Sequence, residues 1–167
     1  MRHPGVMFGL MALLVALDQG VKSWVRAMIP LCQGGNCDPL TLVPGLFELT
    51  HILNPGISWG IFRGLEDSVR VPLLLGGSLI AFVLIGWFWL KQRRNMNGLE
   101  DYAFMLILGG AAGNLVDRSI PPHAVTDFLT FLFGDYILFT NNLADIFISL
   151  GVMAYLAGMW MARKSAE

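Results

Sequence analysis

Apolar residues fill four long segments of this chain, and the polar residues inside them are few enough to name. Residues 6–29, 71–90, 102–116 and 137–161 each read as an apolar helix. At ~1.5 Å per residue, about 20 such residues cross a hydrocarbon core, and the second segment has that length. The third is shorter and rich in small residues. The first opens on "GVMFGLMALLVAL" behind Arg2, the length of a secretory leader's core. No small-x-small cleavage site follows, and the helix continues through "DQGVKSWVRAMI" to Pro30, so a retained span is expected. Between the first two segments, residues 38–66 change character. "FELTHIL" alternates, and Pro44, Gly45, Pro55 and Gly56 punctuate the run, which predicts a β-rich insertion of short strands and turns. Residues 119–136 read as a loop. One membrane domain over residues 1–167 is expected.

Composition agrees with a chain built for lipid. Of 167 residues 55% are hydrophobic and only 14% charged, with mean hydropathy +0.61, against about 25% charged in soluble domains. The net charge of −1 and the lack of a basic stripe give no case for nucleic acid. Arg2, then Lys91, Arg93 and Arg94, then Arg163 and Lys164 fall on one side of a four-span arrangement. The lysine and arginine bias makes that side cytoplasmic, with both termini there. Arg26, Arg63, Arg70 and Arg118 lie toward the other side and weaken the bias.

With spans alternating in direction, the intramembrane polar groups collect in the outer leaflet. Asp18 and Lys22 are i, i+4 neighbours toward the outer end of the first span, the spacing of a structural ion pair. Asn114, Asp117 and Arg118 share one face at the outer end of the third. Asn142 and Asp145 open the fourth, and Asn54 and Gly56 belong to the outer insertion. Gly109, Gly110 and Gly113 give the third span a smooth surface against which another helix can pack. Asp117 reads as capping or pairing, and Arg118 as reaching the interface or pairing with an acid. Asp135 reads as a loop acid. Asp145 is harder to explain structurally, since a carboxylate at the bilayer centre costs about 2.5–3.5 kcal/mol on insertion scales.

The chemistry these residues support narrows by elimination. His3, His51 and His123 are scattered with no His-Glu-x-x-His string, so neither a zinc site nor another metal is expected, and no cofactor is implied. There is no Gly-x-Ser-x-Gly elbow. Lys22, the lysine placed to serve a serine, already faces Asp18. Cys32 and Cys37 on the outer side read as a small disulfide loop. Asp127 and Asp145 remain. Facing one another across a water, they would share a proton: one carboxylate activates the water and the other protonates or polarises a carbonyl oxygen. Spacing alone leaves a proton path equally open.

Five stretches in order go beyond spacing. They are "LDQGVK" (Asp18, Lys22), "LNPGISWGIF" (Asn54, Gly56), "GGAAGNLVDR" (Asn114, Asp117, Arg118), "VTDF" (Asp127) and "NLADIFI" (Asn142, Asp145). In these the chain resembles the lipoprotein signal peptidases, the type II signal peptidases of bacteria. The resemblance implies a mostly α, integral membrane fold of four transmembrane helices with a small extracytoplasmic β subdomain, in the inner membrane. It implies an aspartic endopeptidase with Asp127 and Asp145 as the catalytic pair. Asn114, Arg118 and Asn142 match positions that orient the pair or contact substrate, while Asp18, Lys22, Asn54 and Gly56 match supporting positions. The implied substrate is a prolipoprotein bearing a diacylglyceryl group on its cysteine, cut just before that cysteine. Globomycin-type cyclic peptides are the implied inhibitors, and a monomer among membrane lipids the working form. Trp59 and Phe62 are placed to sit at the interface. Asn141, where the family commonly has an aromatic, the Cys32–Cys37 loop and the stiff "PPHAV" depart from the pattern. Two other readings stand beside this one. A silent relative that only binds lipidated signal peptides could lose either acid. A proton or ion conductor would need ionisable groups in "FVLIGWFWL" and "MAYLAGMWM", which have none.

Overall fold

A computed structural model describes residues 4–33, 37–56, 62 and 64–164. Arg2, His3, Trp59 and Arg63 fall outside the described residues. The elements run α1 (Pro4–Met28), β1 (Leu40–Val43), β2 (Phe47–Asn54), α2 (Asp67–Gln92), α3 (Gly98–Ser119), β3 (Val125–Phe133), β4 (Tyr136–Asn141) and α4 (Leu143–Lys164).

α3 is the centre of the bundle and packs against α1, α2 and α4. Its neighbours cover it, so it buries Ala103, Phe104, Met105, Leu108 and the three glycines. The outer helices turn large apolar side chains outward instead: Phe8, Leu13 and Leu17 of α1, Ile80, Val83 and Leu84 of α2, and Met153 and Leu156 of α4 are all exposed. Among the described residues, three helices are long and apolar enough to cross a membrane: Gly5–Met28, Asp67–Gln92 and Leu143–Lys164. α3 is less apolar for the same reason that it is buried, since it does not need a greasy face on every side.

Close approach explains the glycines. A Cβ on Gly110 would lie 2.3 Å from the Ala144 carbonyl oxygen, and one on Gly113 would lie 2.6 Å from Asp18 Oδ2. Only hydrogen fits where α3 meets α4 and α1. At the far end, Met7, Trp89, Phe104, Met105 and Leu108 form an apolar cluster. There Trp89 Nε1 donates to Asp101 Oδ1 at 2.6 Å.

Helix boundaries differ from the sequence expectation where capping decides them. α3 starts at Gly98 rather than 102 because Asn97 and Glu100 form a capping box, the Asn97 side chain accepting from Leu99 and Glu100 N–H. α4 begins at Leu143 and not 137. Tyr136–Asn141 is the strand β4, and the expected loop at 119–136 contains β3. The β-branched and aromatic run "YILFT" suits a strand and pairs with β3, register Thr130↔Thr140 and Phe131↔Phe139, although its apolar continuity with the segment that follows made it read as the start of the span. The sheet is therefore larger than the 38–66 insertion: four antiparallel strands in the order β1-β2-β3-β4. Cys32 and Cys37 are disulfide-bonded beside it.

One irregularity in the sheet sets the site. Leu49 pairs with Leu129, but Ile52 pairs with Asp127, so β2 carries one extra residue at Thr50–His51. Side chains alternate along a strand, so that bulge switches face and leaves Ile52 and Asn54 on the same side as Asp127. The other side of β3 packs on α1, with Phe128 against Val25 and Ile29. Thr130 there contacts Thr50 Oγ1 at 2.7 Å and Thr140 Oγ1 at 3.0 Å.

Candidate active site

Where the sheet meets the ends of α1 and α3 and the start of α4, two carboxylates are held by three amides. Asp127 on β3 is 4% exposed. Its Oδ1 accepts from Asn142 Nδ2 at 2.7 Å and its Oδ2 from Asn54 Nδ2 at 2.9 Å. Asp145, in the first turn of α4, is half-buried, and its Oδ1 accepts from Asn114 Nδ2 at 2.8 Å.

The orientation of each amide is fixed by what its oxygen accepts. Asn54 Oδ1 takes the Gly56 N–H at 3.1 Å, Asn142 Oδ1 takes the Asp145 N–H at 3.0 Å, and Asn114 Oδ1 takes Lys22 Nζ at 3.1 Å. Every NH₂ therefore points at a carboxylate. Asn142 also caps α4, so the strand-to-helix turn that positions Asp145 is the same turn that holds Asp127. Asp145 at a helix N-terminus is further favoured by the unpaired amides there.

Below these groups lies a buried ion cluster. Lys22 Nζ is 2.8 Å from both Asp18 Oδ2 and Asp117 Oδ2, and Arg26 Nη2 is 2.7 Å from Asp117 Oδ1. Asp18 Oδ1 also accepts the Ala144 N–H at 2.9 Å, which ties α1 to the start of α4. Lys22 thus links the cluster through Asn114 to Asp145. Arg118 Nη2 donates to the Gly56 carbonyl at 3.1 Å, which anchors the turn after β2 rather than an acid. Its own carbonyl lies 2.9 Å from His123 Nδ1, in the turn through the cis Pro121–Pro122 bond that leads into β3.

The sequence-predicted site residues thus come together, while Asp135 sits apart in the β3–β4 turn. Three participants were missed: Gln19, Arg26 and Thr126. Gln19 Nε2 lies within 3.2 Å of Asp18 Oδ2 and Asp117 Oδ1, and Arg26 Nε donates to Thr126 Oγ1 at 2.9 Å. Arg26 continues the i, i+4 row Asp18–Lys22–Arg26, a signal present in the sequence. Thr126 carried none, because its role depends on β3 folding back onto α1.

Burial pushes the Asp127 carboxyl up from 3.8 to about 6, and the negative charge of Asp145 adds to the rise. The Asn142 and Asn54 donors oppose it. Asp127 therefore holds its proton to higher pH than an exposed carboxyl does.

Comparison with known proteins settles the family. The family described as Signal peptidase (SPase) II matches residues 10–161. This chain belongs to that family. A lipoprotein signal peptidase of Bartonella henselae is 38% identical over 166 residues, covering 97% of this chain and 94% of that protein. One from Nitratidesulfovibrio vulgaris is 37% identical, covering 95% and 90%. A solved bacterial membrane enzyme superposes with TM-score 0.80 at 22% identity, covering 98% of this chain and 92% of that one. That likeness is one of fold. Membership makes this protein an aspartic-type signal peptidase II of the membrane.

Proposed function

We propose that the protein removes the signal peptide from diacylglyceryl-modified prolipoproteins, with Asp127 and Asp145 as the catalytic pair. The observation that carries the assignment is the convergence of three oriented amides on these two carboxylates, at one end of an otherwise apolar bundle. A lipid-filled bundle that needed only structural glue would not hold two acids in fixed orientation, one of them 4% exposed.

In this reading Asp127, whose carboxyl is raised to about 6, keeps the shared proton and Asp145 acts as base. Asp145 takes a proton from a water as its oxygen attacks the scissile carbonyl, and Asp127 donates to the carbonyl oxygen. As the C–N bond breaks, Asp145 passes its proton to the leaving amine and a hydroxyl of the diol gives one back to Asp127, which restores the starting protonation of the pair. The signal peptide departs with a new carboxylate, and the mature protein begins at the lipidated cysteine. No metal and no covalent intermediate is required. Asn54, Asn142 and Asn114 keep the carboxylates aimed, Arg118 and Gly56 hold the turn that carries Asn54, and Asp18, Lys22 and Asp117 fix α1 and α3 beneath. The α3 glycines bring those helices close enough to do so.

The wider arrangement follows. With 22 residues, about 33 Å at ~1.5 Å per residue, α3 is long enough to be the fourth span. Lys91, Arg93, Arg94, Arg163 and Lys164 lie at the end of the bundle away from the sheet, and that end is assigned to the cytoplasm with both termini. The pair then sits near the outer surface of the inner membrane, where a lipidated cysteine is held. Globomycin-type peptides would compete there, and the enzyme is proposed to act as a monomer. The deciding experiment incubates purified protein in detergent with a diacylglyceryl-modified precursor and its unmodified form. Cleavage of the modified precursor alone is expected; equal processing of both would refute the substrate assignment.

A further inference from the structure

A cavity lies on the opposite side of β3 from Asp127, lined by Thr126 rather than by that acid. Its volume is about 310 Å³, and it is bounded by α1, the turn after α3 and β2. Five of its lining residues are polar, and Gln19, His51 and Arg26 have committed partners that determine what they present. Gln19 directs its NH₂ at three acceptors, the Gly113 carbonyl at 3.0 Å and the carboxylates of Asp18 and Asp117. Its carbonyl oxygen is left to face elsewhere. His51 Nδ1 lies 3.0 Å from the Ile29 carbonyl, which can only accept, so Nδ1 carries the hydrogen and Nε2 is an acceptor in the neutral ring. Arg26 spends Nε on Thr126 and Nη2 on Asp117, while its side chain remains 38% exposed.

Charge is distributed unevenly across this group. The Asp117 side chain is 1% exposed, and its oxygens are covered by Lys22 Nζ, Arg26 Nη2, Gln19 Nε2 and the Thr126 N–H. Its negative charge is therefore turned inward and satisfied. The guanidinium of Arg26 is the charge that reaches the surface. Around it the walls are apolar, from Leu53, Ile120 and Pro121, and Ile120 is 59% exposed. A ligand for this cavity needs an anionic group for Arg26, hydroxyl donors for His51 Nε2 and Gln19 Oε1, and an apolar continuation past Ile120. Choline headgroups have no donor. Ethanolamine has donors but brings a second cation toward Arg26.

We infer that this cavity is a binding site for the headgroup of an anionic glycerophospholipid whose phosphodiester carries a free polyol, separate from the peptidase site. The phosphate pairs with Arg26, the hydroxyls donate to His51 and Gln19, and the acyl chains run down over Ile120. The cavity does not include the catalytic pair, but Arg26 and Gln19 also brace the ion cluster beneath that pair, so Ile120→Trp, outside the cluster, is the variant that separates lipid binding from cleavage.

The test is native mass spectrometry of the full protein in detergent, with phosphatidylglycerol, phosphatidylethanolamine and phosphatidylcholine of identical acyl chains. Soluble glycerol phosphate is the fourth probe. Wild type is expected to retain phosphatidylglycerol about tenfold more tightly than either zwitterionic lipid, the scale of one charge-assisted contact. Arg26→Gln should abolish that preference. Ile120→Trp, at an exposed position that fills the mouth without touching the ion cluster, should weaken phosphatidylglycerol binding by a similar factor with an unchanged melting temperature. Equal retention of the three lipids would overturn the inference. So would a preference that survives Ile120→Trp, or glycerol phosphate binding as tightly as the lipid.

Discussion

Replacing Asn54 with alanine removes one of the two side-chain donors to Asp127, and the structure sets the size of the result. The lost contact is a 2.9 Å N–H···O bond to a carboxylate at a position 4% exposed. Bonds to charged groups contribute about 1.5–3 kcal/mol, and one pKa unit corresponds to about 1.4 kcal/mol, so the charged form should lose the equivalent of about one to two units. Asn54 is itself only half-buried, and water partly replaces it, which favours the lower figure. The Asp127 midpoint should move from about 6 to about 7. The sign also fixes the stability effect. Asp127 is raised above its unfolded value of 3.8, so the fold binds that proton better than the unfolded chain does. Its stabilising contribution is complete below about 3.8 and is lost as pH rises through about 6, about 3 kcal/mol in all. The assay is the carbon-13 resonance of labelled aspartate carboxyls against pH, beside the pH profile of kcat/KM on a lipidated precursor. In wild type kcat/KM should fall as pH rises through about 6, and in Asn54→Ala that limb should shift upward with the carboxyl midpoint. An unchanged or lowered midpoint in the variant would refute the role given to Asn54.

Other expectations follow from the same geometry. Asp127→Asn and Asp145→Asn should each lower kcat by about a thousandfold or more while membrane insertion, followed by protease accessibility, is retained; substantial activity in either variant removes that residue from the pair. Asp18→Ala removes both a buried partner of Lys22 and the acceptor for the Ala144 N–H, so folded yield should drop with a loss of about 3–5 kcal/mol by chemical denaturation. Gly110→Ala should destabilise by about 1–3 kcal/mol and also reduce cleavage, because its Cβ meets the Ala144 backbone one residue before Asp145. Gly109→Ala, which meets the side chain of Leu14, should be milder in both measurements. Intact mass should be unchanged on alkylation of unreduced protein and should rise after reduction, as the Cys32–Cys37 bond requires.

The long apolar segments located the middle of each helix, though not the starts of α3 and α4, since a helix satisfies its own backbone in lipid while its ends are set by caps and pairing. They also placed Asp18 beside Lys22, and Asn142 beside Asp145, because helical spacing brings i+3 and i+4 onto one face. The "YILFT" run could not be resolved that way, for a short apolar stretch beside a span has the composition of either a helix or a strand. Pairing with β3 made it a strand, and α4 then had to start at its Asn142 cap. The extra residue at Thr50–His51 was equally illegible, yet it decides whether Asn54 faces Asp127 or the opposite side of the sheet. Local sequence thus determined which residue types lie at membrane depth, because burial and helix geometry act over a few residues. Tertiary structure decided which amide meets which carboxylate, because strand register brings together residues as distant as Asn54 and Asp127, 73 apart in the chain.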